Sequence, residues 1–251
     1  MDIKGILLAG GSGSRLLPFT DYTHKTLLPI LDRPVIDYAL ETMRCAGIKD
    51  ITIVANEHIG QITKHVGKGK KGERIHYVIE DEPLGVANAI SLARPYVEGS
   101  RIMLYFSDNI TTLDFSKDAE IFRSSKEAPG AVLLAREVND PRMFGVCKIS
   151  EDDMVIDIVE KPKFPPSNLA IGGIYLFDED FWSIFDGETG KLGLDFSISS
   201  ITRNYVKNKL AVIRNIGQST WIDCGTPENL LSAGLLAKEG IIGINREGRT
   251  V

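Results

Sequence analysis

The chain opens with an apolar run that leads into a glycine-rich loop, Gly5-Ile6-Leu7-Leu8-Ala9-Gly10-Gly11-Ser12-Gly13-Ser14-Arg15-Leu16. Three glycines in four positions let the backbone turn and approach a ligand closely, so that successive N–H groups can face phosphate oxygens. The loop is not a Walker loop, because no Gly-Lys-Ser/Thr follows, and Leu16 stands where the dinucleotide fingerprint requires glycine. By itself the loop indicates either an anion-binding site that ends on a cationic arginine or a tight strand-to-helix turn.

Strand-like and helix-like segments alternate over about the first 115 residues. Strands are predicted at Gly5–Ala9, Ile51–Ala55, Ile75–Ile79 and Ile102–Phe106. Helices are predicted from Pro34 to Gly47, from Glu57 to Val66, and from Leu84 to Ala93 with an end near Pro95. This alternation predicts an α/β fold with a doubly wound, mostly parallel sheet, whose ligands bind beyond the carboxyl ends of the strands.

The second half of the chain is rich in β-type sequence. Strands are predicted at Gly130–Val138, Phe144–Ile149, Met154–Val159 and Ala170–Phe177, and helices at about Glu179–Phe185 and Glu228–Lys238. We expect an antiparallel extension of the sheet and a poorly packed tail after Gly240. We treat residues 1–251 as one domain, with one half at about 1–115 and the other at about 116–240.

Composition narrows the classes of partner. The chain has 34 acidic and 29 basic residues, a net charge of −5, which argues against nucleic acid as a partner. No apolar run approaches the ~20 residues of a membrane span, and the first strand leaves no room for a signal peptide. We therefore expect a cytoplasmic protein without a membrane partner. The three cysteines are far apart and indicate neither a disulfide framework nor a zinc site.

Charged residues recur where a parallel sheet would place its ligand. Lys25 follows the glycine loop, Asp108 follows a predicted strand, Lys161 ends another, and Asp223 follows a short apolar pair. Each has an ordinary alternative, since an aspartate after a strand commonly caps a helix and a lone lysine is usually a solvated charge. Together with Arg15, these carboxylates and cations form the set that phosphoryl chemistry with Mg²⁺ requires.

The sequence resembles the sugar-1-phosphate nucleotidylyltransferases, and among them the short-form glucose-1-phosphate thymidylyltransferases. The resemblance covers nearly the whole chain and rests on the order and spacing of seven motifs. These are Gly5 to Leu16, Lys25-Thr26-Leu27-Leu28-Pro29, Asp108-Asn109-Ile110, Asp140 to Val146, Glu160-Lys161-Pro162-Lys163, Pro166 to Tyr175, and Trp221-Ile222-Asp223-Cys224-Gly225-Thr226.

The resemblance implies that a sugar 1-phosphate attacks the α-phosphate of a nucleoside triphosphate. It implies three catalytic cations, with Arg15 on the nucleotide phosphates, Lys25 on the triphosphate and later the pyrophosphate, and Lys161 on the sugar phosphate. The implied nucleotide-binding residues are Leu8, Ala9, Gly10, Gly11, Gly13, Glu80, Pro83, Gly85 and Asp108. The implied sugar-phosphate-binding residues are Asn109, Gly145, Glu160, Lys161, Gly172 and Tyr175. Mg²⁺ is expected between Asp108 and Asp223. Because members of the family are often multimeric, a homo-oligomer is compatible with the sequence.

Two positions depart from the family pattern. Leu192 stands where the family usually carries an arginine that reaches the sugar phosphate, and Lys191 could replace it only if the loop shifts. Glu80 stands where the thymidylyltransferases typically carry a glutamine.

The change at position 80 bears on the choice of base. A carboxylate can only accept hydrogen bonds, whereas thymine offers one donor between two carbonyls and guanine offers two adjacent donors. We therefore expect thymidylyl transfer from dTTP to glucose 1-phosphate, with guanylyl transfer from GTP as the alternative in which Glu80 faces the base. A non-catalytic sugar-nucleotide sensor on the same fold is a third, weaker alternative, because the residues that such a protein would lose are present.

Overall fold

The structure is a computed structural model that describes residues 1–124, 128–152, 154–217 and 219–243. Its strands are β1 (Ile3–Ala9), β2 (Pro29–Ile30), β3 (Arg33–Pro34), β4 (Asp50–Ala55), β5 (Arg74–Ile79), β6 (Arg101–Phe106), β7 (Asn109–Thr111), β8 (Ala131–Glu137), β9 (Gly145–Ile149), β10 (Val155–Glu160), β11 (Leu169–Phe177), β12 (Ala211–Asn215) and β13 (Trp221–Asp223). Its helices are α1 (Val35–Cys45), α2 (Ile59–Val66), α3 (Val86–Val97), α4 (Ser116–Ser124), α5 (Phe181–Leu192), α6 (Ile198–Lys207) and α7 (Pro227–Lys238).

One nine-stranded sheet organises the molecule. Its main path runs in the order β10-β9-β11-β6-β1-β4-β5, and β8 joins it by pairing with β11 and β12. The segment β6-β1-β4-β5 is parallel throughout, as the alternation of strands and helices predicted. The pairs β9–β10, β9–β11 and β11–β6 are antiparallel, so the predicted antiparallel extension is also confirmed.

Strand β11 joins the two kinds of sheet. Its carboxyl half pairs with β6, with Ile174 opposite Tyr105 and Phe177 opposite Ile102. Its amino half pairs with β9, where Ile171 lies opposite Gly145. Strand β1, which leads into the glycine loop, therefore belongs to the same sheet as β9, β10 and β11, which carry three of the later motifs.

Helices cover both faces of the sheet, as a doubly wound fold requires. On one face the core contains buried residues of α1 and α4, among them Leu40 and Phe122. On the other face it contains residues of α3, α5 and α6, among them Ile90, Phe181 and Tyr205. Among the described residues, no helix is long and apolar enough to cross a membrane.

The structure departs from the sequence-based boundaries in several places. Helix α3 does not end near Pro95 but continues to Val97, because the last turn buries Val97 completely and proline removes only one backbone donor. Helix α5 extends to Leu192, well beyond the predicted end at Phe185. Helices α4 and α6 and strand β12 were not predicted. The tail is packed at least as far as Ile242, which is buried, and its continuation after Gly243 lies outside the described residues.

Candidate active site

The glycine loop follows β1 at the carboxyl edge of the parallel strands. Gly13 has a φ of 69°, in the left-handed region that favours glycine, and the chain then forms one 3₁₀ turn over Ser14–Leu16. Leu16 is buried in the core, whereas Arg15 remains exposed on the other side of the turn. The turn thereby fixes the backbone while leaving the guanidinium free to meet a ligand.

A buried histidine holds Lys25 beside this loop. The His24 side chain, only 1% exposed, lies with Nε2 2.6 Å from the Ala9 carbonyl oxygen and Nδ1 3.2 Å from the Thr26 backbone nitrogen. Burial lowers the pKa of His24 to about 4, so the ring is neutral, and we assign the tautomer in which Nε2 donates and Nδ1 accepts. Lys25 Nζ lies 2.9 Å from the place where a Cβ on Gly11 would stand. Lys25 was predicted from the sequence, whereas the positioning role of His24 was not.

Asp108 follows β6 and is held from two sides. Lys25 Nζ donates to its Oδ2 at 2.6 Å, and the Asn109 amide donates to its Oδ1 at 3.0 Å. Burial acts to raise the pKa of this carboxyl, but the Lys25 ammonium outweighs it and holds the pKa below the usual range. Asp108 is therefore an ionised carboxylate at the carboxyl edge of the sheet.

Asp223 lies beside Asp108 because β13 pairs with β7. The pairing puts Asp223 opposite Asn109, and the Gly225 backbone N–H donates to Asp223 Oδ1 at 2.8 Å. Burial and the negative charge of Asp108 raise the pKa of Asp223. Two carboxylates that disfavour each other's ionisation form a site where a cation would relieve the repulsion.

The donor set fits a hard divalent ion that also binds phosphate. The described residues contain no cluster of three or more His, Cys, Asp or Glu that could bind a metal by itself. Mg²⁺ commonly uses one or two carboxylates and takes its other ligands from water and substrate phosphates. Asp108 and Asp223 meet that requirement, and they would hold such an ion only together with a nucleotide.

Asn109 links the two aspartate strands to β11. Its Oδ1 accepts hydrogen bonds from the Trp221 indole N–H at 2.7 Å and from the Gly173 backbone N–H at 3.1 Å. The side chain is only 3% exposed, and both lone pairs of its oxygen are thereby used. Asn109 thus orients Asp108, and its side chain also lines the cavity beside the two aspartates.

A cavity of about 630 Å³ opens beside these aspartates. Its walls come from both halves of the chain, from the strand ends of β6, β9, β10 and β11 and from the first turn of α6. The residues that line it are Arg15, Phe106, Asp108, Asn109, Asp140, Met143, Phe144, Gly145, Glu160, Lys161, Ile171, Gly173, Tyr175, Ile198, Ser199, Trp221, Asp223, Thr226 and Asn229.

Most of the residues predicted around the sugar phosphate lie in this wall, and Gly172 is the exception. Alternation along β11 turns Gly172 toward Leu134 and Trp221, where a Cβ would collide, whereas Ile171 and Gly173 face the cavity. Lys191, next to the arginine position that Leu192 occupies, lies outside the cavity. It is exposed on α5, its Nζ lies 3.2 Å from Glu188, and neither Lys191 nor Leu192 lines the cavity.

The β10 end presents two charged groups to the cavity. Lys161 has a φ of 40°, a conformation that costs a side-chain-bearing residue roughly 1–2 kcal/mol. Its Nζ lies 3.6 Å from Glu160 Oε1 and is largely exposed. Glu160 Oε2 accepts a hydrogen bond from the Ser199 hydroxyl, a contact that sequence reasoning did not find.

On the other side of the glycine loop, Glu80 is buried rather than turned to solvent. It is 5% exposed, and the Asn88 amide donates to its Oε1 at 3.1 Å. Its Oε2 lies so close to Gly10 that a Cβ there would collide with it. Pro83 and Gly85 are exposed at the adjoining start of α3, where Gly85 has a φ of 95°. Glu80 therefore holds a carboxylate oxygen against Gly10 of the glycine loop.

Comparison with known proteins places this arrangement in a family. A family model described as nucleotidyl transferase matches residues 4–239 of the chain. The chain belongs to this family. A matching relative is the glucose-1-phosphate thymidylyltransferase of Xanthomonas campestris pv. campestris strain B100, 34% identical over 233 residues, which cover 92% of this chain and 79% of the relative.

Two further similar proteins support the same placement. The low-salt glycan biosynthesis nucleotidyltransferase Agl11 of Haloferax volcanii is 32% identical over 240 residues, 94% of this chain. Those residues span only 66% of the length of Agl11. A crystal structure of a proposed glucose-1-phosphate thymidylyltransferase from Bacillus anthracis, in complex with sucrose, has a TM-score of 0.87 and 34% identity over 98% of each chain.

Proposed function

We propose that the protein transfers a nucleotidyl group from a nucleoside triphosphate to a sugar 1-phosphate with Mg²⁺ and releases pyrophosphate. The observation that carries the proposal is the convergence of Arg15, Asp108, Lys161 and Asp223 on one cavity beside the glycine loop. Two anionic substrates require cations on both sides of the reacting phosphorus, and this cavity has them.

The chemistry needs positioning more than proton transfer. A sugar 1-phosphate already carries a charged oxygen at neutral pH, since the second pKa of a phosphate monoester is ~6, so no general base is needed. That oxygen forms a bond to the α-phosphorus, and the bond from the α-phosphorus to the bridging oxygen breaks with its electron pair leaving on pyrophosphate. Holding the two anions in line supplies much of the rate enhancement.

Each cation has a distinct part in that positioning. Lys161 would bind the sugar phosphate from the β10 side, and Arg15 would approach the α-phosphate from the glycine loop. Lys25 neutralises Asp108 in the free protein and lies close enough to Gly11 to contact phosphates over the loop. Asp108 and Asp223 would hold Mg²⁺, which when bound offsets charge on the reacting phosphate.

We propose dTTP and glucose 1-phosphate as the substrates. The Xanthomonas campestris relative is a glucose-1-phosphate thymidylyltransferase, and the structure from Bacillus anthracis is proposed to be one. The motifs around the glycine loop, Asp108 and Glu160 resemble those of the glucose-1-phosphate thymidylyltransferases. This support comes from similarity to those proteins. The side chain at position 80 supplies an independent argument, and that argument favours a different nucleotide.

GTP is the second candidate donor. Asn88 fixes Glu80 so that Oε1 is occupied and Oε2 lies against Gly10. A base bound over the loop beside Gly10 would meet this oxygen. Guanine offers two adjacent N–H donors to such a carboxylate, whereas either carbonyl of thymine would be repelled by it. Glu80 is the one observation that favours guanylyl transfer.

Pyrophosphate release tests both statements. The protein is incubated with Mg²⁺, a hexose 1-phosphate and, in separate reactions, dTTP, GTP and UTP. We expect release that depends on both substrates, greatest with dTTP and glucose 1-phosphate, and absent from an Asp108→Asn variant with an unchanged unfolding temperature. Release that is independent of the sugar phosphate, or none with any pair, would contradict nucleotidyl transfer. A preference for GTP would show that GTP, and not dTTP, is the nucleotide donor.

A further inference from the structure

A serine and a glutamate from different elements meet over one end of the cavity. Ser199 lies in the first turn of α6, and its hydroxyl donates a hydrogen bond to Oε2 of Glu160 at the end of β10. Ser199 is 7% exposed, yet it lines the cavity together with Glu160. The seven sequence motifs include Glu160 but not Ser199.

Gly145 makes room for this pair. On β9 it lies opposite Glu160, and a Cβ at Gly145 would stand 2.6 Å from Ser199 Oγ. The same Cβ would stand 3.6 Å from Glu160 Oε2. The hydroxyl and the carboxylate therefore lie directly above the Gly145 backbone, and the absence of a side chain there leaves both facing the cavity.

The position of α6 is fixed independently of the Ser199 contact. Arg203 Nε, one turn further along α6, donates to Asp157 Oδ1 at 2.8 Å and to the Ile158 carbonyl at 2.9 Å. Both acceptors are on β10, the strand that ends in Glu160. Because Arg203 already clamps the helix to the strand, loss of the Ser199 hydroxyl should leave the backbone in place.

The Ser199–Glu160 pair offers hydrogen-bond acceptors to a ligand but no donor. The Ser199 proton is used on Glu160 Oε2, so Glu160 keeps its Oε1 lone pairs and Ser199 keeps the lone pairs of Oγ. Both atoms can then only accept. Lys161 Nζ, 3.6 Å from Oε1, is too distant for a good hydrogen bond and leaves that oxygen free.

We propose that Ser199 is a specificity-determining residue for the acceptor, and that Ser199 and Glu160 together recognise two adjacent free hydroxyl groups of the sugar. This inference rests on the proposed function. One hydroxyl donates to Glu160 Oε1 and its neighbour donates to Ser199 Oγ. A sugar 1-phosphate that lacks either hydroxyl leaves one of these acceptors covered by the bound sugar and unpaired, which is the situation that separates substrates most strongly.

The wild-type protein alone provides a first test. Turnover is measured with the hexose 1-phosphate that it uses best, glucose 1-phosphate by our proposal, and with the 2-, 3-, 4- and 6-deoxy analogues. We expect losses of about tenfold or more in kcat/KM for two analogues modified at adjacent carbons. Equal kcat/KM for all five sugars would overturn the inference while leaving nucleotidyl transfer intact.

Ser199→Ala then assigns one of those hydroxyls. Its KM for the parent sugar should rise about 10- to 100-fold with kcat changed less than threefold, because the contact exists in the ground state. For one of the two poor analogues the same substitution should cost nothing further, because the partner hydroxyl is already missing. A uniform loss for every sugar would show a structural role only and overturn the proposal, as would no loss at all.

Two variants complete the design. Ser199→Thr keeps the hydroxyl and should restore the KM, whereas Ser200→Ala is the matched control. Ser200 lies in the same turn, bonds to the Ser197 carbonyl and is not part of the cavity wall, so its variant should match the wild type. The KM for the nucleotide should be unchanged throughout. If the wild type releases no pyrophosphate with any hexose 1-phosphate, the proposed function fails and the inference fails with it.

Discussion

Replacing Glu80 by glutamine should shift the choice of nucleotide away from GTP and toward dTTP. The Asn88 amide donates to Glu80 Oε1, and this contact fixes which end of the new amide lies where. The glutamine oxygen takes the place beside Asn88, so the NH₂ group replaces Oε2 over Gly10. A site that could only accept a hydrogen bond then donates one.

The size of the shift follows from the two bonds that change. Guanine loses a hydrogen bond to a charged group, worth about 1.5–3 kcal/mol, and a thymine carbonyl gains a neutral one, worth about 0.5–1.5 kcal/mol. The preference for GTP over dTTP should therefore weaken by roughly 2–4.5 kcal/mol. At 1.4 kcal/mol for each factor of ten, the ratio of kcat/KM for GTP to that for dTTP should fall about 30- to 1,600-fold.

The measurement is pyrophosphate release at low nucleotide concentration, with the two nucleotides compared in parallel for each variant. Glu82→Gln is the matched control, because Glu82 is an exposed neighbour that makes the same change in charge. A ratio that moves less than threefold in Glu80→Gln, or equally in both variants, would refute the idea that Glu80 faces the base.

Three further predictions concern single side chains. Asp223→Asn should lower turnover at least 100-fold, because it removes a proposed Mg²⁺ ligand. It should not lower the unfolding temperature, because it removes a charge that Asp108 disfavours. Near-native turnover would remove Asp223 from the metal site. Lys161→Gly should be more stable than Lys161→Ala by about 1 kcal/mol in denaturant unfolding, because only glycine tolerates a φ of 40° without strain. Both variants should raise the KM for the sugar phosphate. The unfolded chain binds more protons at His24 between pH 6.5 and pH 4, so the free energy of unfolding should fall by roughly 3 kcal/mol across that window as the pH decreases, and fall less in His24→Gln. An equal pH dependence in the two proteins would contradict the buried neutral ring.

The sequence was informative where a charged candidate residue comes directly after a buried strand. Asp108 could be found because it follows the apolar run of β6, and parallel strands bring such ends to one edge. Gly172 was predicted from the sequence, whereas Gly173 lines the cavity. Which of the two faces the cavity depends on an irregularity in the pairing of β11 with β8 between Ile171 and Tyr175, because pairing sets which face each residue takes.

Ser199 was missed for a different reason. Helix α6 does carry a signal, since Ile198, Ile201, Tyr205 and Val206 recur at helical spacing, and this pattern would have predicted the helix. It would not have predicted the contact with Glu160, because the two residues are 39 positions apart and meet only after α6 packs on β10.

The pairing of β11 with β6 has a consequence for synthesis of the chain. Until residue 177 has been made, β6 lacks its antiparallel neighbour and remains an open edge of six mostly buried residues, Arg101–Phe106. Unpaired edges of this kind template association with other chains. A fragment that ends before β11 would therefore aggregate rather than bind nucleotide, and a nascent chain remains exposed to the same hazard for about 70 residues after β6 is complete.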